Sequence, residues 1–264
     1  YPYRYEGQSD QSQGLSAADE LEQAILREGA DTVAMFIAEP VQGAGGVIVP
    51  QDDYFPRIRE ICDRYQVLLV ADEVITGFGR TGEMFALNHW NIEPDIIQFA
   101  KAITSGYFPF GGIGINDTIA DTLDKADTPW MHAYTYSAHP VGCAVALRML
   151  QLINEEGFPD QAETKGRRLL HGLRSALADH EHVGDIRGKG LMCAVELVEN
   201  RETKKSFPAD QQVGIRVNQE AVAGGLFSRL KGDSYLLAPP VVITDSQLDQ
   251  IVEILAKAIR TILG

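Results

Sequence analysis

Apolar residues in this chain fall into short unbroken runs alternating with stretches of helical spacing. Val33 to Ala38 and Val67 to Ala71 are continuous apolar runs of strand length, and Asp95 to Ala100 and Gly111 to Ile115 read as two more strands. Between the first two, Phe55, Ile58, Ile61, Cys62 and Tyr65 form one stripe of a helix that Asp52 is placed to cap. Upstream, Ser16-Ala-Ala-Asp19 resembles a capping box opening a helix through about Glu28, with Leu21, Ala24 and Ile25 on its apolar face. Strands alternating with helices predict a largely parallel sheet covered on both faces.

Two helices follow, after which the pattern changes. A helix is predicted from about Pro140 to Glu155, with Val141, Ala144, Val145, Leu147 and Leu150 on its stripe, and Gly157-Phe-Pro159 interrupts it. A second helix runs from about Gln161 to His180. Leu191 to Val198 and Tyr235 to Leu237 read as strands, and Leu248, Ile251, Leu255, Ile259 and Ile262 mark a final amphipathic helix. The predicted division is a large α/β part over residues 1–159 and a smaller α+β domain over residues 160–264.

Composition narrows the functional classes. With 264 residues and a net charge of −14, the chain lacks the basic face of a nucleic-acid binder. No apolar run approaches the roughly 20 residues of a membrane helix, and residues 1–7 lack the basic start and apolar stretch of a signal peptide. Cys62, Cys143 and Cys193 show no metal-ligand or disulfide spacing. Each falls in an apolar pattern and is expected to be a buried thiol in a reducing, cytoplasmic setting. The first residue is Tyr rather than Met, which hints at a cut chain.

Three predicted strands end in charge: Glu39 follows Ala38, Asp72 and Glu73 follow Ala71, and Lys101 follows Ala100. Ligands of open α/β sheets bind beyond the carboxyl ends of the strands, so parallel neighbours would bring these groups to one rim. For any one of them, a solvated strand end is an equally good reading; three in register favour a site. A partly desolvated lysine loses its proton more readily and can form a Schiff base, so lysine beside carboxylates suggests amine or carbonyl chemistry. Gln42-Gly-Ala-Gly-Gly46 is a poor dinucleotide fingerprint, because Ile48 stands where the last glycine belongs.

The segment LLVADEVITGFGRTG over residues 68–82, followed by Pro94-Asp-Ile-Ile-Gln-Phe-Ala-Lys101, resembles the signature of class III aminotransferases. Asp72 and Lys101 stand 29 residues apart, as they do in that family. The resemblance continues through AEPVQG at 38–43, TYSAHP at 135–140, Gly232-Asp233 and Pro239-Pro240, and so covers nearly the whole chain. It implies a fold-type I α/β transferase using pyridoxal 5'-phosphate. Lys101 would carry the cofactor as a Schiff base and shuttle a proton, Asp72 would pair with the pyridine nitrogen, and Val74 would pack on the ring. Glu39 would support the site from behind Asp72, directly or structurally. Thr135 resembles the residue whose hydroxyl binds the neighbouring subunit's cofactor phosphate, implying a homodimer with shared sites. Arg229 resembles a mobile arginine that binds substrate carboxylates. Arg80 is expected in a loop salt bridge, and His139 in a structural role at a helix start.

Departures from the family pattern sharpen the expectation. Ile75 replaces a glutamine usual in ornithine-, acetylornithine- and 4-aminobutyrate-type members, and Ala44 replaces a glutamate that parks the mobile arginine in two of these. Both differences point to the ω-amino acid or amine:pyruvate subgroup, with a primary amine or ω-amino acid as donor and pyruvate as acceptor. Nothing before Val33 resembles the family's phosphate-binding loop or ring-stacking aromatic, so the N-terminal part is expected to be missing. A fold-type I aminomutase or decarboxylase, or an inactive truncated fragment, remain as alternatives.

Overall fold

The computed structural model describes Tyr3, Arg4 and residues 12–264. The absence of a signal peptide was read from residues 1–7, which lie outside the described residues except for Tyr3 and Arg4. The first part runs α1 (Gln13–Glu28), β1 (Met35–Ala38), α2 (Tyr54–Tyr65), β2 (Leu68–Asp72), β3 (Ile96–Phe99), β4 (Gly112–Ile115) and α3 (Asp117–Asp124). Next come α4 (Pro140–Glu155) and α5 (Phe158–Leu177). The last part is β5 (Val183–Lys189), β6 (Met192–Leu197), α6 (Val213–Ala223), β7 (Arg229–Lys231), β8 (Ser234–Leu237) and α7 (Asp245–Leu263). Two four-stranded sheets result, ordered β1-β2-β3-β4 and β5-β6-β8-β7.

In the first sheet β1, β2 and β3 are parallel and β4 is antiparallel, so the mostly parallel α/β expectation holds. Side chains alternate across a strand. Phe36, Leu69, Ala71 and Ile97 point to the face packed by Phe55, Ile58, Ile61 and Cys62 of α2 and by Ala18 and Ile25 of α1. The opposite face is where the prediction of two-sided cover fails. Met35, Ile37 and Ile113 remain 50%, 51% and 54% exposed, and no described helix covers them.

The capping residues also differ from expectation. Ser12, rather than Ser16, caps α1 by accepting from Leu15 N at 3.1 Å, and Ser16 is buried one turn inside. Asp53 stands at the N-cap of α2 without a capping bond, because its Oδ2 takes the Ser12 hydroxyl. One carboxylate thus ties two helix starts together. Arg57 strengthens the same pair, reaching Asp19 at 2.7 Å and Glu22 at 3.2 Å on α1.

The second sheet is antiparallel throughout. Its strand β6 is buried along its whole length. Cys193, Val195 and Leu197 enter a core with α5, α6 and α7, whereas Met192 and Ala194 face the first core. Two-sided burial fits the apolar character of Leu191 to Val198, interrupted only by Glu196, which is buried against Arg187. Gly190 lies where a Cβ would come within 2.4 Å of the Thr81 carbonyl carbon, so the turn before β6 needs glycine to seat the two parts together.

Two further expectations are corrected. On α4 the buried residues are Gly142, Ala146 and Ile153, while Val141 and Leu147 are exposed, so the apolar stripe faces outward over much of its length. Cys62 and Cys193 are buried, and burial pushes their thiols up to about 11 and about 12, but Cys143 is exposed on α4.

Candidate active site

The parallel register brings the charged strand ends together. Ala38 pairs with Ala71, which sets Glu39 next to Asp72, and Asp72 pairs with Gln98, three residues before Lys101. The rim therefore carries Glu39, Asp72 and Lys101 on three successive strands. Lys101 has φ +47 and is exposed. A lysine in the left-handed region is held there by its surroundings: Ile103 N donates to Ala100 O and Thr104 N to Lys101 O, closing a short 3-10 turn at the strand end. Among the described residues the Lys101 amine has no hydrogen-bond or salt-bridge partner.

Each carboxylate has its own setting. Asp72 Oδ1 accepts from Val74 N at 3.1 Å, a local turn that fixes the side chain. Glu39 Oε2 accepts from Gly43 N at 2.9 Å, so Glu39 braces the loop that follows it. A Cβ on Gly43 would come within 2.6 Å of Ile75 Cδ1, so that loop lies directly against Ile75. Glu73 is fully buried, where it accepts from the Thr76 hydroxyl and from Leu87 N at 3.0 Å, and burial raises its pKa. A cavity of about 200 Å³ lies behind the rim, walled by Glu39, Gln42, Gln51 and Tyr54; Lys101 and Asp72 lie outside it.

The chain matches known proteins along nearly its whole length. The class-III aminotransferase model matches residues 1–259. The chain belongs to the class-III aminotransferase family. It is 42% identical to the putrescine–pyruvate aminotransferase of Pseudomonas aeruginosa over 261 residues, covering 98% of this chain and 57% of that protein. It is 38% identical to the mitochondrial gamma-aminobutyrate transaminase 1 of Oryza sativa subsp. indica, covering 96% of this chain and 50% of that one. A thermostable (S)-enantioselective omega-transaminase from Thermomicrobium roseum superposes with a TM-score of 0.94 at 44% identity, covering 100% of this chain and 59% of that chain. The chain thus spans little more than half the length of the curated relatives it matches.

Within this class-III chain, strand register brings some of the expected site residues to one rim and leaves others apart. Glu39, Asp72, Val74 and Lys101 share the rim. Thr135 lies in an exposed segment beside a stack of Trp130 on His132, with ring centroids 5.5 Å apart, and no described contact brings it to the rim. Arg229 is exposed on β7, the edge strand of the second sheet. Arg80 makes no salt bridge among the described residues. Its Nη1 donates to Pro239 O at 2.5 Å and to Leu191 O at 3.5 Å, and burial lowers its pKa. It ties the loop after β2 to the second sheet. His139 precedes α4 and packs its ring on Phe108.

Two residues near the site escaped the sequence reading. Glu73 was noted only as a neighbour of Asp72, although its place between a buried strand and Thr76 signalled a buried carboxylate. Arg187 carried no signal, since a lone arginine before Gly188 looks like an exposed strand position.

Proposed function

We propose that this chain holds the cofactor lysine and the ring-facing carboxylate of a pyridoxal-phosphate-dependent transaminase. The observation that carries the reading is Lys101, unpaired and held at positive φ, on the strand end beside Asp72. The donor set fits such a group: a primary amine with no competing ion pair, a carboxylate fixed by one amide with its second oxygen left over, and Val74 two residues beyond it. When bound, pyridoxal phosphate supplies the conjugated electron sink that the protein itself lacks. Asp72 would keep a proton on the pyridine nitrogen through a charge-assisted hydrogen bond. Lys101 Nζ would move a proton at the amine-bearing carbon of the substrate. Val74 would limit the ring's sliding, and Glu39 would act through its loop.

The donor is a primary amine or ω-amino acid and the acceptor a keto acid, pyruvate by preference. Ile75 and Ala44 support this choice, as does the likeness to a putrescine–pyruvate aminotransferase. In this reading Arg229 pairs with the acceptor's carboxylate, and Thr135 reaches the neighbouring subunit's cofactor phosphate in a homodimer. Residues 1–159 belong to the cofactor-binding domain and 160–264 to the small domain, a division supported by the two sheets. A cytoplasmic setting belongs to the same reading, and cell fractionation tests it.

Borohydride reduction of the full-length gene product with pyridoxal phosphate, followed by peptide mapping, tests the assignment. Label on Lys101 is expected. Label mainly on Lys125 or Lys189 would overturn it.

A further inference from the structure

The loop under Ile75 is held from outside its own sheet. Residues Gly43 to Val47 bend back so that Gly46 N and Val47 N both donate to Gly43 O at 3.1 Å, and Gln42 pairs with Ile48. Val47 sits in this loop at φ +52 and is buried. A β-branched residue in the left-handed region is strained, and such a conformation persists only when its surroundings fix it. The fixing group is Arg187, from β5 of the second sheet. Its Nη2 donates to Gly46 O at 2.7 Å, and its Nε to Gly46 O and Val47 O at 3.1 Å each. Its Nη1 donates to Glu196 at 2.7 Å and to Asp185 at 2.9 Å. Arg187 and Glu196 keep 11% and 7% of their side-chain surface exposed, so this is a nearly dry pairing.

We propose that Arg187 is a positioning residue, which clamps the Gly43–Val47 loop to the second sheet and so holds Ile75 and Glu39 in place beside Asp72. Its planar fork suits the task, since one face takes two carbonyls while the other meets two carboxylates. The carboxylates aim the guanidinium, and Arg4, whose Nε meets Glu196 Oε1 at 2.6 Å, supplies the second positive charge. Gly43 rests on Ile75 and donates to Glu39, so displacement of the loop is felt at both. Arg80 works in the opposite direction, from the rim loop to carbonyls of the second sheet. With Arg187 gone, Arg80 still anchors the sheet, and the loop alone is released.

This inference rests on the transaminase reading for its link to cofactor and substrate, but its structural half is testable without it. The experiment compares Arg187→Met, Arg187→Lys and a control, Leu255→Val, which trims the second core away from the clamp, in the full-length gene product. In Arg187→Met, amide hydrogen exchange in residues 42–48 should speed up about tenfold or more, while β2 and α2 keep their rates. Its apparent Kd for pyridoxal phosphate, read from the visible band, should rise about tenfold, with Arg187→Lys in between because it keeps the charge and loses the fork. Leu255→Val should lower the melting temperature and leave loop exchange and cofactor affinity unchanged. Unchanged exchange at 42–48 in Arg187→Met, or equal acceleration in the control, overturns the clamp. Faster loop exchange with unaltered cofactor affinity overturns its reach to the site. A wild-type protein that gives no visible band with pyridoxal phosphate would sink the transaminase reading instead, and the exchange result would still decide the clamp.

Discussion

The two sheets bury themselves in different ways. In the second, β6 is buried on both faces: α5, α6 and α7 cover one side, and on the other Met192 and Ala194 pack into the first core while Glu196 pairs with Arg187. In the first sheet, α1 and α2 cover one face, and Met35, Ile37 and Ile113 stand half exposed on the other. Leu68, Val70 and Asp72 point to this second face, so the proposed catalytic carboxylate shares it with the bare positions. The second sheet is finished as packing. In the first, Val70 is buried on the face that carries Asp72, while no described helix lies over Met35, Ile37 and Ile113.

The strongest way to break this comparison is at Asp72. Asp72→Asn should lower transamination by about 10³-fold, as loss of a preorganised electrostatic partner does, because an amide cannot hold the pyridine nitrogen protonated. Its melting temperature should stay near wild type. Near-normal turnover would misplace the carboxylate.

Next in size is the packing contrast. Leu173, fully buried in the second core, should lose about 3 kcal/mol as Leu173→Ala. Ile37→Ala, half exposed on the open face, should stay within about 0.5 kcal/mol. Denaturant melts measure both, and equal losses would mean that the open face is covered in solution.

A smaller effect belongs to Glu73, whose folded pKa burial raises above 4.5. Its contribution is fully present below that value and fades as pH rises through the folded pKa, because the buried carboxylate must then ionise. Glu73→Gln should therefore gain on the wild type with rising pH. Melts at several pH values check this, and a constant difference would refute it.

The smallest concerns His89, which meets Thr81 O at 3.1 Å where the loop after β2 approaches the second sheet. Burial lowers its pKa from 6.5, so its stabilisation is present above 6.5 and is lost as pH falls through the folded value. His89→Asn should flatten that acid slope in thermal melts, and an unchanged slope would exclude His89 as its source.

Much of the fold was legible because its signals are local. Continuous apolar runs located β1 and β2, a mostly apolar stretch located β6, and Pro140 marked the start of α4 where Pro at a first helical turn belongs. The elements left unnamed were α6, whose apolar face is Val213, Val217 and Ala221, and three short or polar ones: β5 carries Gly184, Gly188 and three charged residues, β7 has three residues, and α3 buries none of its residues. Cap positions were misread because Ser12 and Asp53 settle each other across the fold, which no window along the chain contains.

By itself the sequence determined the parallel strands and the charged residue that closes each of them, because apolar periodicity and a strand's end are properties of neighbouring residues. It also determined the family, through motifs kept in order and spacing. The tertiary structure alone decided that Glu39 turns to its own loop and that Arg80 and Arg187 bind carbonyls across the two parts. These depend on which surfaces meet. A guanidinium's partners and a side chain's burial are set by groups far away in sequence, and only the folded chain brings them within hydrogen-bonding reach.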